Sequence, residues 1–220
     1  MNVLGLDTAT PSTAVALLAG SEAIELRDDP VPGSRGEHTE RVLVLADAAL
    51  SRAGLDWPAI DLIGVGTGPG GYTGLRIGIA TARGLARAIG AQLTGVCTLR
   101  ALAQPLAGVV TLALIDGRRG ELFAGAYKDD VEVIAPHVIR PAELPAVLAR
   151  IGQVPLWAVG DGAIASRSEL AMLDVEIPED ASQLHRVSAA AICMLARRDP
   201  DAAVEPLYLR RPDAELALER

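Results

Sequence analysis

A chain of 220 residues that is half apolar can build one large domain or two small ones, but aromatic residues make up only 3%, so the core must come from Ala, Val, Leu and Ile. A formal net charge of -8 and a pI near 4.9 argue against unassisted nucleic-acid binding, which needs a Lys/Arg surface to neutralise phosphates. Two cysteines without metal-ligand spacing, no basic-then-apolar leader and no 18-residue uncharged apolar run predict a cytosolic chain with reduced, buried thiols and no membrane span.

Val3 to Asp7 reads as a strand that ends in a carboxylate, followed by a turn rich in hydroxyls, Thr8-Ala9-Thr10-Pro11-Ser12. Thr13 to Leu18 and Glu22 to Leu26 return as two further strands. Hydroxyls and turn amides can hold a phosphate, and an acid such as Asp7 can hold a metal-bound water. A turn in which Asp7 and Thr8 bond their own backbone is the equal alternative. Ser34 and Glu37 have capping-box spacing ahead of a helix from Glu37 to Ala53 that Gly54 ends. Val42, Leu45, Ala46, Ala49, Leu50 and Ala53 form its core stripe, while Val44 and Ala48 lie on another arc. His38, far in sequence from any second His or Cys, reads as a surface or capping residue.

Leu62 to Gly90 organises the rest: an apolar strand to Val65, a turn with five glycines and a proline from Gly66 to Gly74, and a helix from Leu75 to Ile89 closed by Gly90. Leu75, Ile79, Ala82, Ala86 and Ile89 share the face that should lie on a sheet. The opposite arc carries Ile77, Ala80, Thr81, Gly84 and Ala88, small or apolar where a one-sided helix would carry charge. Gly78 and Gly84 suggest tight packing on both sides, either within the chain or against a partner. Gly66, Gly68 and Gly71 satisfy G-x-G-x-x-G, but the next strand, Gln92 to Val96, ends in Cys97 and Thr98 instead of the acid a dinucleotide site needs about 20 residues on. No Gly-Lys-Ser/Thr follows, so a Walker-type loop is excluded as well. A helix opened by Thr98 and broken at Pro105 completes the unit.

A second unit begins near Gly108. Val109 to Ile115 is again a strand running into an acid, Asp116, with Glu121 to Tyr127 and Val131 to Ile134 as the returning strands. Strand, acid, turn, strand, turn, strand thus occurs twice, a weak internal duplication. The pattern divides the chain into an N-terminal lobe over 1–108 and a C-terminal lobe over 109–220, with the tail free to pack back on the first. A helix from Glu143 to Ile151, a strand from Leu156 to Val159, a tight turn at Gly160-Asp161-Gly162 and a helix from Val187 to Arg198, capped by Ser188, follow. Asp7, Asp116 and Asp161 each follow a strand and could converge between the lobes. No G-x-S-x-G, H-E-x-x-H or H-x-x-x-H occurs, so neither a serine triad nor a paired-histidine metal site can be placed.

Several segments resemble the TsaB family, formerly called YeaZ: Leu4-Gly5-Leu6-Asp7-Thr8-Ala9-Thr10, Glu37-His38-Thr39-Glu40-Arg41, the run Gly68 to Gly78, Ile115 to Leu122, and Glu205-Pro206-Leu207-Tyr208-Leu209-Arg210. Small departures are Gly71 and Tyr72 where Ser and Phe are usual, and Gly117 where Ala is common. The resemblance implies a two-lobed α/β fold of the actin, hexokinase and heat-shock-chaperone (ASKHA) kind, each lobe a mixed sheet with helices. It also implies a scaffold role in making threonylcarbamoyladenosine in tRNA, beside a catalytic TsaD-like subunit and a TsaE-like ATPase, with tRNA met only through the complex. The family's glycoprotease label has no residues here to support it. On this reading Val44, Ala48, Ile77, Ala80, Thr81, Gly84 and Ala88 form the partner face, which pairs two copies in a homodimer when the partner is absent. Asp7, Thr8 and Asp116 remain as a vestigial nucleotide site, with no metal and no tightly bound cofactor, leaving room for weak ATP or ADP binding. The alternative is a stand-alone nucleotide-dependent kinase or ATPase of the same fold.

Overall fold

The computed structural model describes residues 1–31, 36–106, 108–129, 131–152 and 156–210. Its first sheet holds β1 (Asn2–Asp7), β2 (Thr13–Ala19), β3 (Glu22–Asp28), β4 (Leu62–Gly66) and β5 (Gln92–Val96), in the order β3-β2-β1-β4-β5. β1 and β2 pair antiparallel with Asp7 opposite Ala14, whereas β4 joins β1, and β5 joins β4, in parallel. The second sheet repeats the plan with β6 (Val110–Arg118), β7 (Glu121–Lys128), β8 (Val131–Ile139) and β9 (Leu156–Val159), in the order β8-β7-β6-β9. Two antiparallel pairings come first and a parallel one, β6 with β9, closes the series. The duplicated mixed-sheet α/β architecture expected from the strand pattern is therefore present.

Among the described residues seven α-helices, α1 (His38–Ala53), α2 (Tyr72–Ile89), α3 (Thr98–Ala103), α4 (Leu144–Ile151), α5 (Asp161–Ala165), α6 (Arg167–Leu170) and α7 (Ala189–Arg198), accompany three single-turn 3-10 helices. Strands buried on both faces need cover on both, and the layers supply it. Leu4, Leu6, Val15, Leu17, Ile63 and Val65 meet α1 and α2 on one side of the first sheet. Val3, Ala16, Leu18 and Leu62 meet α7 and α3 on the other, in a core that continues to Ala113, Ile115, Phe123 and Tyr127 of the second sheet. Leu112, Leu114, Ala124 and Ala126 pack outward against α4. α7 approaches so closely that a Cβ on Gly5 would lie 2.5 Å from Ala189 O, and one on Gly64 2.7 Å from Ala196 Cβ.

The terminators fall where the sequence placed them: Gly54 and Gly90 take φ of 65° and 74° and close α1 and α2. Ser188 caps α7, its side chain accepting from Ala191 N. The capping role expected of Ser34 lies outside the described residues, and Glu37 at the start of α1 makes no side-chain cap bond. Several elements differ from expectation, among them β6, which runs on through Asp116 to Arg118 where the sequence placed its end at Ile115. α2 begins at Tyr72, not Leu75, because only the first part of the glycine turn is irregular. β8 runs on through Pro136 to Ile139, which an edge strand tolerates. Gly160 to Gly162, expected as a tight turn, opens α5. No helix among the described residues is long and apolar enough to cross a membrane.

Candidate functional site

Two regions gather the residues that the sequence marks for function. The first is the outer face of α1 and α2, which lie side by side on the first sheet. Val42, Leu45, Ala46, Ala49 and Leu50 of α1, and Leu75, Gly78, Ile79, Ala82 and Ala86 of α2, are buried against the strands. On the opposite arc Val44 is 56% exposed, Ala80, Gly84 and Ala88 are exposed, and Ala48 and Thr81 are half-buried, whereas Ile77, expected on this face, is half-buried and lines the cleft between the lobes. The chain does not fill its own second arc, so of the two alternatives for α2, packing on both sides within the subunit is not met. The two glycines read together as marks of close packing separate here. A Cβ on Gly78 would collide with Thr8 Oγ1, whereas one on Gly84 would meet nothing within 4 Å. Leu43, which sequence reasoning passed over, is 45% exposed as well.

The second region is a cleft of about 640 Å³ between the lobes. The β1–β2 hairpin is stitched to the start of α2: Thr8 Oγ1 donates to Gly74 O at 2.7 Å, and Gly71 N donates to Ala9 O at 2.7 Å. Gly70 and Gly74 are required at this seam, since a Cβ on either would run into the carbonyls of Ala9 and Thr8. Thr8 and Asp116 line the cleft, but Asp7 does not. Its carboxylate turns inward and accepts from Ala9 N and from Thr98 Oγ1, each at 3.0 Å. Thr98 in turn accepts from Gly68 N at 3.1 Å and donates its own N–H to Gly68 O at 2.8 Å. The space for that carboxylate exists because Gly66 has no side chain. Burial pushes the Asp7 carboxyl up to about 6, against the lowering effect of its two hydrogen bonds and of Arg27.

Of the three acids that the sequence placed after strands, Asp116 lies within β6, and it and Asp161 do meet. Asp116 N donates to Asp161 Oδ1 at 2.9 Å, and Asp116 is itself engaged by Arg118, through the backbone N–H at 2.8 Å and the guanidinium at 3.3 Å. Burial, then the nearby charge of Asp116, raise the Asp161 carboxyl, while the hydrogen bond from Asp116 N opposes them. Arg118 and Arg119 hold φ of 63° and 59°, a left-handed conformation that L-residues seldom adopt and that closes the β6–β7 hairpin at the cleft edge.

His38 corrects its expected place. It is 9% exposed, lines the cleft, and its Nδ1 lies 2.9 Å from Thr13 Oγ1. Burial holds its pKa below the ordinary value, so the ring is neutral near pH 7. A lone histidine gives no local clue to a partner 25 residues away. Its position in Glu37-His38-Thr39-Glu40-Arg41 was the available signal. At the mouth, the rings of Tyr72 and Tyr208 lie 4.9 Å apart and Arg76 sits 4.0 Å above Tyr72. Among the described residues no group of three His, Cys, Asp or Glu is placed to hold a metal ion.

Residues 32–155 match the family described as "TsaD: tRNA N6-adenosine threonylcarbamoyltransferase". An uncharacterized protein of Mycobacterium tuberculosis is 32% identical over 213 residues, covering 97% of this chain and 93% of that one. The tRNA threonylcarbamoyladenosine biosynthesis protein TsaB of Haemophilus influenzae is 27% identical over 231 residues, covering 96% and 94%. A crystal structure from Pseudomonas aeruginosa, of an uncharacterized protein with similarity to peptidase YEAZ, superposes with a TM-score of 0.75 at 28% identity, covering 95% of this chain and 99% of that one.

Proposed function

Because the chain belongs to the TsaB (YeaZ) family and carries a TsaD-type domain, we propose that it serves the synthesis of threonylcarbamoyladenosine in tRNA as a non-catalytic scaffold for a TsaD-like subunit. The observation that carries this reading is the uncovered second arc of α1 and α2. Val44 at 56% exposure, with Ala80, Gly84 and Ala88 exposed on the neighbouring helix, leaves small and apolar side chains facing water on a lone subunit. Ala80, Gly84 and Ala88 let a partner helix approach toward the lower end of the 8 to 10 Å range of helix spacings. Two helices from a subunit of related fold would pack here as a four-helix layer about a pseudo-twofold axis. In isolation the same arc pairs two copies of the chain, an isologous contact needing only that a surface complement itself. A TsaE-like ATPase joins the complex, and tRNA is met through it, in keeping with a net charge of -8.

The test is sedimentation of wild type and Gly84→Glu, each alone and with the TsaD-like protein of the same organism. Because the space around Gly84 is open within the subunit, the substitution leaves the monomer folded and acts on association alone. We expect monomeric Gly84→Glu and partner binding weakened by several kcal/mol, on the order of what an unpaired buried charge costs. Normal dimerisation and normal partner binding by this variant would move the interface elsewhere.

The cleft supports a second reading, a nucleotide-dependent enzyme of the same fold, because Thr8 and Asp116 stand on opposite hairpins across it. Against that reading, the acid of the first strand is spent on Ala9 and Thr98 and does not face the cleft. Calorimetry with ATP and Mg²⁺ separates the two: saturable binding with turnover favours the enzyme, and no turnover favours the scaffold.

A further inference from the structure

The segment Glu205 to Arg210 resembles a family motif, yet it takes no part in the α1–α2 face. After α7 the chain runs without helix or strand along the edge of the first sheet. Thr94 Oγ1 donates to Asp199 O at 2.8 Å, Gly95 N to Ala202 O at 3.2 Å, and Arg83 to Val204 O at 2.7 Å. Leu207 N then donates to Thr67 O at 2.7 Å, beside the glycine turn that launches α2. A Cβ on Gly95 would collide with Ala203 O, so the contact is built into the strand as well as into the segment that covers it.

From there the segment leaves the first lobe. Tyr208 stacks on Tyr72 of α2, and its hydroxyl accepts from Arg76 Nε at 3.2 Å. Two residues later Arg210 reaches the β6–β7 hairpin of the second lobe, where NH1 donates to Gly117 O at 3.0 Å and to Glu121 Oε2 at 2.9 Å. The side chains of Arg210 and Glu121 are 26% and 27% exposed, shielded enough that solvent screens the pair less than an open surface ion pair. Leu207, Tyr208, Leu209 and Arg210 all line the cleft. Three motif segments far apart in sequence, at 68–78, 115–122 and 205–210, thus meet at its mouth.

We propose that residues 199–210 form an interlobe latch: Tyr208 fastens the segment to the first turn of α2, and Arg210 fastens it to the β6–β7 hairpin, fixing the width of the cleft. The shared core of α3 and α7 holds the lobes together at the floor of the cleft, and the latch holds them at its mouth. Releasing Arg210 frees the hairpin and with it the cleft wall that carries Asp116 and Arg118. Releasing Tyr208 frees the start of the helix whose outer face is the partner surface. The latch stands whether or not that surface binds a partner, and its test uses the full chain alone.

Hydrogen–deuterium exchange is measured on wild type, Arg210→Ala, Glu121→Gln, Tyr208→Ala and Tyr208→Phe. Arg210→Ala and Glu121→Gln should each speed exchange in 117–122 and 205–210 by about tenfold or more, as expected of a local opening, with α1, α4 and β8 unchanged. The double variant should open the hairpin no further than Arg210→Ala does. Tyr208→Ala should speed exchange in the first turn of α2, and Tyr208→Phe, which keeps the ring stack, should do so less. Unchanged hairpin exchange in Arg210→Ala, or a uniform rise across the whole chain, overturns the latch. If Arg210→Ala does not fold, Glu121→Gln, which leaves the Gly117 bond in place, decides on the same criteria.

Discussion

Asp7→Asn tests whether the first-strand acid is an internal fastening. The carboxyl is 1% exposed and its pKa rises from 3.8 to about 6, burial outweighing the bonds from Ala9 and Thr98. A folded pKa above the unfolded one means that the folded state holds the proton more tightly. The contribution to stability is therefore fully present below the unfolded value and is lost as pH rises through about 6. Roughly two units at about 1.4 kcal/mol each make the whole change about 3 kcal/mol, of which about half falls between pH 5 and pH 8. Asparagine does not titrate, but its amide nitrogen cannot accept, so either Ala9 N or Thr98 Oγ1 loses its acceptor at a cost of about 1–3 kcal/mol. The two effects oppose each other above pH 7, where variant and wild type should be close in stability. In acid, wild type should lead. Urea unfolding followed by circular dichroism at pH 5 and pH 8 reads the difference directly. A gap between wild type and variant that is the same at both pH values would refute the buried-acid account. A large loss of complex activity with the fold intact would show that Asp7 works chemically.

The remaining expectations concern how helices are seated. Glu25 accepts from Ser188 Oγ, Ala189 N and Ala190 N at 2.9 to 3.2 Å, so it neutralises the amino end of α7 from a neighbouring strand. Glu25→Ala should cost about 2–3 kcal/mol in chemical denaturation, with Glu25→Gln milder. Gly78→Ala and Gly84→Ala, the same change two turns apart on α2, should have opposite signs. The first drives a methyl into Thr8 Oγ1 and should cost about 1–3 kcal/mol. The second opens into free space and should gain up to about 1 kcal/mol from helix propensity. Thermal melts that moved in the same direction for both would contradict the packing described here.

Much of the fold was legible because local chemistry and burial agree. Asp7 could be seen to end its strand, and Gly54 and Gly90 to end helices, since strand alternation and left-handed caps are written within a few residues; Asp116, expected just after the equivalent strand, lies inside β6, which runs on to Arg118. What the sequence could not show is direction and distance. That Asp7 turns inward depends on the missing side chain at Gly66, one strand over, and on Thr98, 91 residues away. His38 looked like a surface residue because its partner, Thr13, is 25 residues earlier at the start of a strand. Arg210 could be seen only as the end of a family-like segment, and only the folded chain brings it to Gly117, 93 residues back. Periodicity reports which face of an element is buried. It is silent on which distant backbone a polar side chain will reach.

α2 shows how one helix serves both regions. Residues 71–74 face the hairpin and the cleft, where glycine is needed because the backbone of Thr8 and Ala9 comes within contact. Leu75, Ile79, Ala82 and Ala86 face the sheet. Ala80, Gly84 and Ala88 face outward, where glycine and alanine are not needed by anything in the subunit. Small residues enforced by contact and small residues left uncovered therefore sit on the same helix, and only the first kind is explained by this chain. A solitary subunit under no other constraint would replace the second kind with charge or with longer helix formers. Arg76, Arg83 and Arg87 show that such residues are accepted on the adjoining arc. The uncovered arc is thus the part of α2 whose composition this chain does not explain, and the proposed partner surface rests on it.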